Sequence, residues 1–138
     1  MGTVVQLKNR VNNSYFELKS SFEDKLVLVE EKIKSKLSSK VDLVEDMTKY
    51  HLKTGGKRLR ALLTLGSAKL CSYSKGSRDV NLAACIELIH AATLMHDDVI
   101  DSGKIRRGKK TLNKIWGNHS SILVGDYLLS RCFEMMVE

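Results

Sequence analysis

Proline is missing from all 138 residues of this chain, where average usage would place about seven. A backbone that is never denied an N–H donor and never locked at one φ can run long uninterrupted helices. The apolar residues agree, recurring at helical spacing through five segments, and they predict an all-α antiparallel helix bundle. Residues 11–40 read as one long amphipathic helix or two, with Phe16, Leu18, Phe22, Leu26, Val29 and Ile33 in register. Ser38-Ser39 breaks the pattern, and Asp42 is placed to cap a helix over 43–53 with Leu43, Met47, Tyr50 and Leu52 on its buried side. Gly55-Gly56 stops that helix. The next starts near Lys57 and turns Leu59, Leu62, Leu63 and Leu65 inward. Asp79 is expected to cap a central helix over 80–101. A loop with a helical turn at Leu112–Trp116 follows, and Ser120 or Ser121 opens a last helix with Leu123, Tyr127, Leu128, Cys132, Met135 and Met136 at helical spacing.

Charge concentrates where the central helix ends. Each helical residue turns about 100°, so His90, Asp97 and Asp101 fall within about 40° of one another on one face, while Asp98 lies about 100° round from Asp97. Carboxylates at i and i+4 suit Mg²⁺, which takes a few anionic oxygens and completes its shell with water or phosphate oxygens. Acids at a helix C-terminus oppose the macrodipole, so a merely decorative trio would cost stability there. Arg106 and Arg107 follow just after the helix should fray at Ser102-Gly103, and their forked donors match phosphate. Earlier in the chain, Gly55-Gly56 followed by Lys57, Arg58 and Arg60 at a helix start makes a second anion site, with exposed N–H groups and fixed cations. The spacing is not that of a P-loop. Acids and bases so arranged point to a metal-bridged polyphosphate and a second phosphate pocket.

The remaining composition narrows the field. The length allows one domain. The net charge of +7 could serve nucleic acid, an anionic membrane or an anionic small substrate. Aromatics are few and not interleaved with the bases, which disfavours nucleic acid. Cys71, Cys85 and Cys132 lack metal-ligand spacing and read as reduced core thiols of a cytoplasmic protein. The N-terminal MGTVVQLKNR has no apolar stretch of signal-peptide length, Gln6 stands where a myristoylation site wants Ser or Thr, and no run reaches membrane-span length.

Three motifs, GGKRLR at 55–60, IELIHAATLMHDDVIDSGKIRRGKKT at 86–111 and SILVGDYLLSRCFEMM at 121–136, resemble the trans-isoprenyl (polyprenyl) diphosphate synthases of the octaprenyl or similar long-chain bacterial type. They stand in the family's order and cover most of the chain beyond about residue 40. The resemblance implies an all-α isoprenoid-synthase fold, of which residues 1–138 would be the N-terminal part of a single domain. It further implies that Asp97 and Asp101, first and last of a DDxxD signature, bind Mg²⁺ holding an allylic diphosphate such as farnesyl diphosphate. Arg106 would contact that diphosphate, making Asp97, Asp101 and Arg106 the catalytic set. Lys57, Arg60, His90 and Arg107 would hold isopentenyl diphosphate.

The implied reaction is a prenyl transfer that builds a long-chain polyprenyl diphosphate. Ala92 and Thr93, about one turn before Asp97 and both small, would meet the growing chain early. Ala61 replaces the family's usual proline, which is helpful rather than essential at a helix start. Family members are about twice as long and carry a second aspartate-rich motif that this sequence lacks. The expectation is therefore a truncated synthase, not active alone, leaving apolar faces around Leu94, Leu123 and Leu128 to be covered by a second copy or by a C-terminal half. A non-catalytic partner subunit and a decayed fragment are the alternatives.

Overall fold

The computed structural model describes residues 14–53 and 55–137. Within them the chain forms α1, described over residues 14–21, then α2 (Glu23–Lys36), α3 (Asp42–Lys53), α4 (Leu59–Leu70), α5 (Arg78–Ile100), strands β1 (Ile105–Arg106) and β2 (Lys109–Lys110), and α6 (Leu112–Val137). The expected all-α bundle is present, and the two-residue antiparallel hairpin is an addition to it. The expectations on residues 1–13, including the N-terminal motif readings and the start of the first helix, fall outside the described residues.

Helix α5 is the centre, packed against α6, α4 and α2. Its Ala83, Ala84, Leu88, Ala92 and Met95 are buried with Val29 and Ile33 of α2, Leu62 and Leu65 of α4, and Leu128 and Cys132 of α6. Each fully buried aliphatic side chain of this kind contributes about 1.5–3 kcal/mol. Small residues bring α5 and α6 close together: a Cβ on Gly125 would overlap the His96 ring. His96 Nε2 lies 3.3 Å from the Ile122 carbonyl oxygen and 3.5 Å from Asp126 Oδ1. One level further along the same interface, each thiol of Cys85 and Cys132 approaches the other's carbonyl, at 3.7 and 3.5 Å. Cys71 is exposed, so only two of the three cysteines are core thiols. Burial first, then the Cys85 thiol beside it, pushes the Cys132 thiol up to about 12.

Several details depart from the sequence reading. Phe16, Leu43, Leu59, Leu63 and Leu123 are exposed, while Ala61 and Thr48 take buried positions. Leu59 and Leu63 form an i, i+4 row to one side of the face that carries Ala61, Leu62 and Leu65. Leu128 is buried and Leu94 half-buried, so of the three residues expected on uncovered faces only Leu123 is open. Ala92 is fully buried in the core, which corrects its expected place along a growing chain. Asp42 sits inside the first turn of α3, and the preceding Ser39 hydroxyl instead accepts the Val41 N–H at 3.1 Å. The expected break between the turn at Leu112–Trp116 and the last helix occurs at Gly117, at φ 84° and ψ 163°, a kink that glycine tolerates.

Candidate diphosphate-binding cleft

Helix α5 ends at Ile100, followed by a left-handed Ser102 at φ 51°. The Ser102 N–H reaches the Val99 carbonyl at 3.2 Å and the Gly103 N–H reaches that of Asp98 at 2.8 Å. These paired bonds are a Schellman closure, and they reverse the chain at once. The hairpin then turns at Arg107 and Gly108, both at positive φ, the pairing that type I′ turns require. It carries Arg106 back onto the helix. Arg106 Nε lies 3.0 and 3.1 Å from the two Asp98 oxygens, and its Nη2 lies 2.8 Å from Oδ1. The Asp98 hydrogen bond is the main cause raising the Arg106 guanidinium above its ordinary value; burial opposes it, and the charges of Asp98, Asp97 and Asp101 assist.

Asp97 and Asp101 stay exposed, and among the described residues their carboxylates make no hydrogen bond or ion pair. Asp98, the member turned away from the shared face, is thus the one consumed by structure. Among the described residues no group of three His, Cys, Asp or Glu side chains is placed to hold a metal. The donor set nevertheless fits Mg²⁺, because two hard carboxylates on one helical face leave the remaining positions to water and phosphate oxygens.

The GGKRLR segment lies beside this end of α5. Gly55 adopts φ 63° and its carbonyl accepts the Arg107 guanidinium. Gly56 passes so close that a Cβ there would stand 2.9 Å from Arg107 Nη1. Arg58 precedes α4 in a left-handed conformation at φ 51°. Its side chain is engaged by the protein, 3.5 Å from Glu30 and 3.4 Å from Glu87. Glu87 also accepts the Ala61 N–H at 3.1 Å. A carboxylate from α5 therefore already satisfies the start of α4, and the helix N-terminus expected to meet an anion is partly occupied by the protein itself. Lys57 and Arg60 are exposed, with Lys57 Nζ 5.8 Å from the Tyr15 ring centroid.

These segments border an open cleft of about 530 Å³ whose lining combines the bases Lys57, Arg58, Arg60, Arg106 and Arg107 and the His90 ring with the apolar Leu88, Leu94, Met95 and Leu128. All the residues expected to hold isopentenyl diphosphate thus line one cleft, while Asp97 and Asp101 stand outside its lining on the same last turns of α5. His51 also lines it, a residue that no periodicity or motif had singled out. Burial first, then the charges of Arg107, Arg58 and His90, lowers His51 to about 4 against the pull of Asp98. Burial first and then Arg60 lowers His90, with Glu87 opposing and Arg107 and Arg106 adding to the fall.

A helical bundle with a basic cleft beside paired carboxylates has close parallels. The profile of the polyprenyl synthetase family matches residues 41–138, and the chain belongs to that family of prenyltransferases. It is 43% identical over 102 residues to the all-trans-nonaprenyl-diphosphate synthase (geranyl-diphosphate specific) of Rhodobacter capsulatus, covering 74% of this chain and 31% of that one. With the octaprenyl diphosphate synthase of Escherichia coli it shares 44% over 104 residues, 75% of this chain and 32% of the relative. A polyprenyl synthase from Caulobacter crescentus, solved in complex with calcium and isoprenyl diphosphate, superposes with a TM-score of 0.85 at 39% identity over 89% of this chain and 37% of that one. The chain spans about a third of the length of the curated relatives it matches. No helix among the described residues is long and apolar enough to cross a membrane.

Proposed function

We propose that residues 1–138 are the N-terminal part of a single trans-polyprenyl diphosphate synthase domain that joins isopentenyl diphosphate to an allylic diphosphate such as farnesyl diphosphate, with Mg²⁺ as cofactor. The observation that carries this reading is the convergence of Lys57, Arg60, His90 and Arg107 on one cleft, beside two carboxylates, Asp97 and Asp101, left without protein partners.

In this reading Lys57, Arg60 and Arg107 hold the diphosphate of the homoallylic substrate by charge-assisted hydrogen bonds. His90, neutral at pH 7, donates one ring N–H to the same group. Asp97 and Asp101 hold Mg²⁺, which when bound supplies Lewis-acid relief of the charge building on the departing diphosphate. Arg106, anchored by Asp98, adds a fixed positive charge on the same side. The allylic C–O bond breaks with its electron pair leaving on the diphosphate. The isopentenyl double bond supplies the electrons for the new C–C bond, and loss of a proton from the adjacent carbon restores the alkene. The apolar wall of Leu88, Leu94 and Met95 keeps water from the carbocation.

Calorimetric titration of the 138-residue chain with farnesyl diphosphate, with and without Mg²⁺, tests the reading. Binding is expected to need the metal, and metal-independent binding would refute the Asp97 and Asp101 assignment. Incorporation of radiolabelled isopentenyl diphosphate is expected once the segment matching the remaining two thirds of the relatives is supplied as a separate polypeptide.

A further inference from the structure

His51 stands in the last turn of α3 and reaches the cleft from a helix that carries none of the expected ligands. The charges around it come from three other elements. Lys57, Arg58 and Arg60 stand at the entrance to α4, Arg106, Arg107 and Lys110 on the hairpin, and Glu87, His90 and Asp98 on α5. The two acids are already engaged, Glu87 by Arg58 and the Ala61 N–H, Asp98 by Arg106. Two imidazoles thus sit in a partly buried, cation-rich cleft whose own carboxylates are spent. Burial and the arginines keep both neutral at pH 7, as their lowered values express.

We propose that His51 is a further anion-recognition residue of this cleft, and that a diphosphate enters it together with a proton taken up by the His51 imidazole. The inference rests on the reading of the cleft as a diphosphate pocket. The proton comes from solvent and converts one neutral imidazole to imidazolium, with no other bond made or broken. The cause is the ligand's own charge. A diphosphate brings more than one negative charge into a region of reduced dielectric and reverses the field that kept the rings neutral. Linkage is reciprocal: a ligand that favours imidazolium must itself bind more tightly as pH falls. The neutral histidines make the empty cleft less repulsive to fold, and the anion recruits their charge when it arrives.

The experiment is a ¹⁵N-histidine spectrum of the full 138-residue chain at pH 7, with the four histidines assigned by H51Q and H90Q, titrated with inorganic diphosphate and separately with isopentenyl diphosphate. His51 ring nitrogens are expected to move from the neutral pattern to that of imidazolium at saturation. In parallel, the affinity of the wild-type chain should rise as pH is lowered from 8 to 6. H51Q should weaken binding at pH 6.5 by about tenfold, within the usual range of coupling, and flatten that rise. A His90 response with His51 remaining neutral would overturn the inference and leave the pocket reading standing. No response of any histidine to either ligand would overturn both. Should H51Q fail to fold, H90Q, H96Q and H119Q assign the other three histidines, His51 follows by elimination, and the wild-type spectrum still decides.

Discussion

Three acids close α5 and three bases open α4, and the two trios are built alike. In each, the middle residue is given to the fold: Asp98 to Arg106, Arg58 to Glu30 and Glu87. The outer residues, Asp97 and Asp101 on one side and Lys57 and Arg60 on the other, remain exposed. The trios differ in how the middle member is held. Asp98 is gripped at 2.8–3.1 Å by a residue only eight positions on, delivered by a tight hairpin. Arg58 is shared at 3.4–3.5 Å between helices far off in sequence. The acidic end is thus set by local geometry, and the basic end exists only once α2, α4 and α5 have packed.

The largest test of this division is the double substitution of Asp97 and Asp101 to Ala. Mg²⁺-dependent affinity for farnesyl diphosphate should fall a hundredfold or more, since even outer-shell changes cost metal sites about 10–100-fold. The thermal midpoint should hardly move, because exposed unpaired residues carry only about 0.5 kcal/mol of stability. A large fall in midpoint would break the comparison. Next is pH. His51, between the two trios, has a folded value of about 4 against its ordinary 6.5. The unfolded chain therefore takes up its proton first as pH falls. The stability gained by keeping His51 neutral is intact above about 6.5 and is lost on acidification to about 4. Urea unfolding should show a loss of about 2 kcal/mol over that window, the shift discounted for partial exposure, and H51Q should remove most of it.

Asp98→Ala should act on stability where Asp97→Ala does not. It strands Arg106 and removes a charged bidentate pair, at a cost of about 1.5–2 kcal/mol, read from urea midpoints. The smallest effect is at the other trio. Glu87→Ala should cost about 1 kcal/mol through the uncapped start of α4, and Glu87→Gln should recover part of it because its amide oxygen can still accept the Ala61 N–H. Equal losses in Gln and Ala variants would assign the whole effect to the Arg58 charge pair.

The sequence was most readable where spacing alone decides position. The i, i+4 placement of Asp97 and Asp101 and the separate aim of Asp98 follow from helical geometry, and the break at Gly117 falls in the stretch between Trp116 and Ser120 that lies outside both expected helical segments. Periodicity was less reliable about which apolar face turns inward. Leu59 and Leu63 keep the spacing but lie off the face that α4 buries, while Ala61 and Thr48 are too small or too polar to register as core. The hairpin was missed because two-residue strands are shorter than any alternation pattern, though Arg107-Gly108 is a pair that a type I′ turn accepts. Glu87 and His51 could not be found this way at all. Glu87 acts on partners 26 or more positions distant, His51 is set by residues of α5 and the hairpin as well as by Arg58, and no local pattern distinguishes a buried capping glutamate from a solvated one.

The absent side chain at Gly125 has a mechanical consequence. It lets α6 press its backbone against the ring of His96, the residue immediately before the acidic trio, so the two helices mesh there like a tooth and a notch. Sliding α6 along its axis must first move that ring. Filling the notch with even a methyl group would turn the His96 side chain aside and break its contacts with the Ile122 carbonyl and Asp126, so the residue that locks the two helices at this level depends on a side chain that is not there.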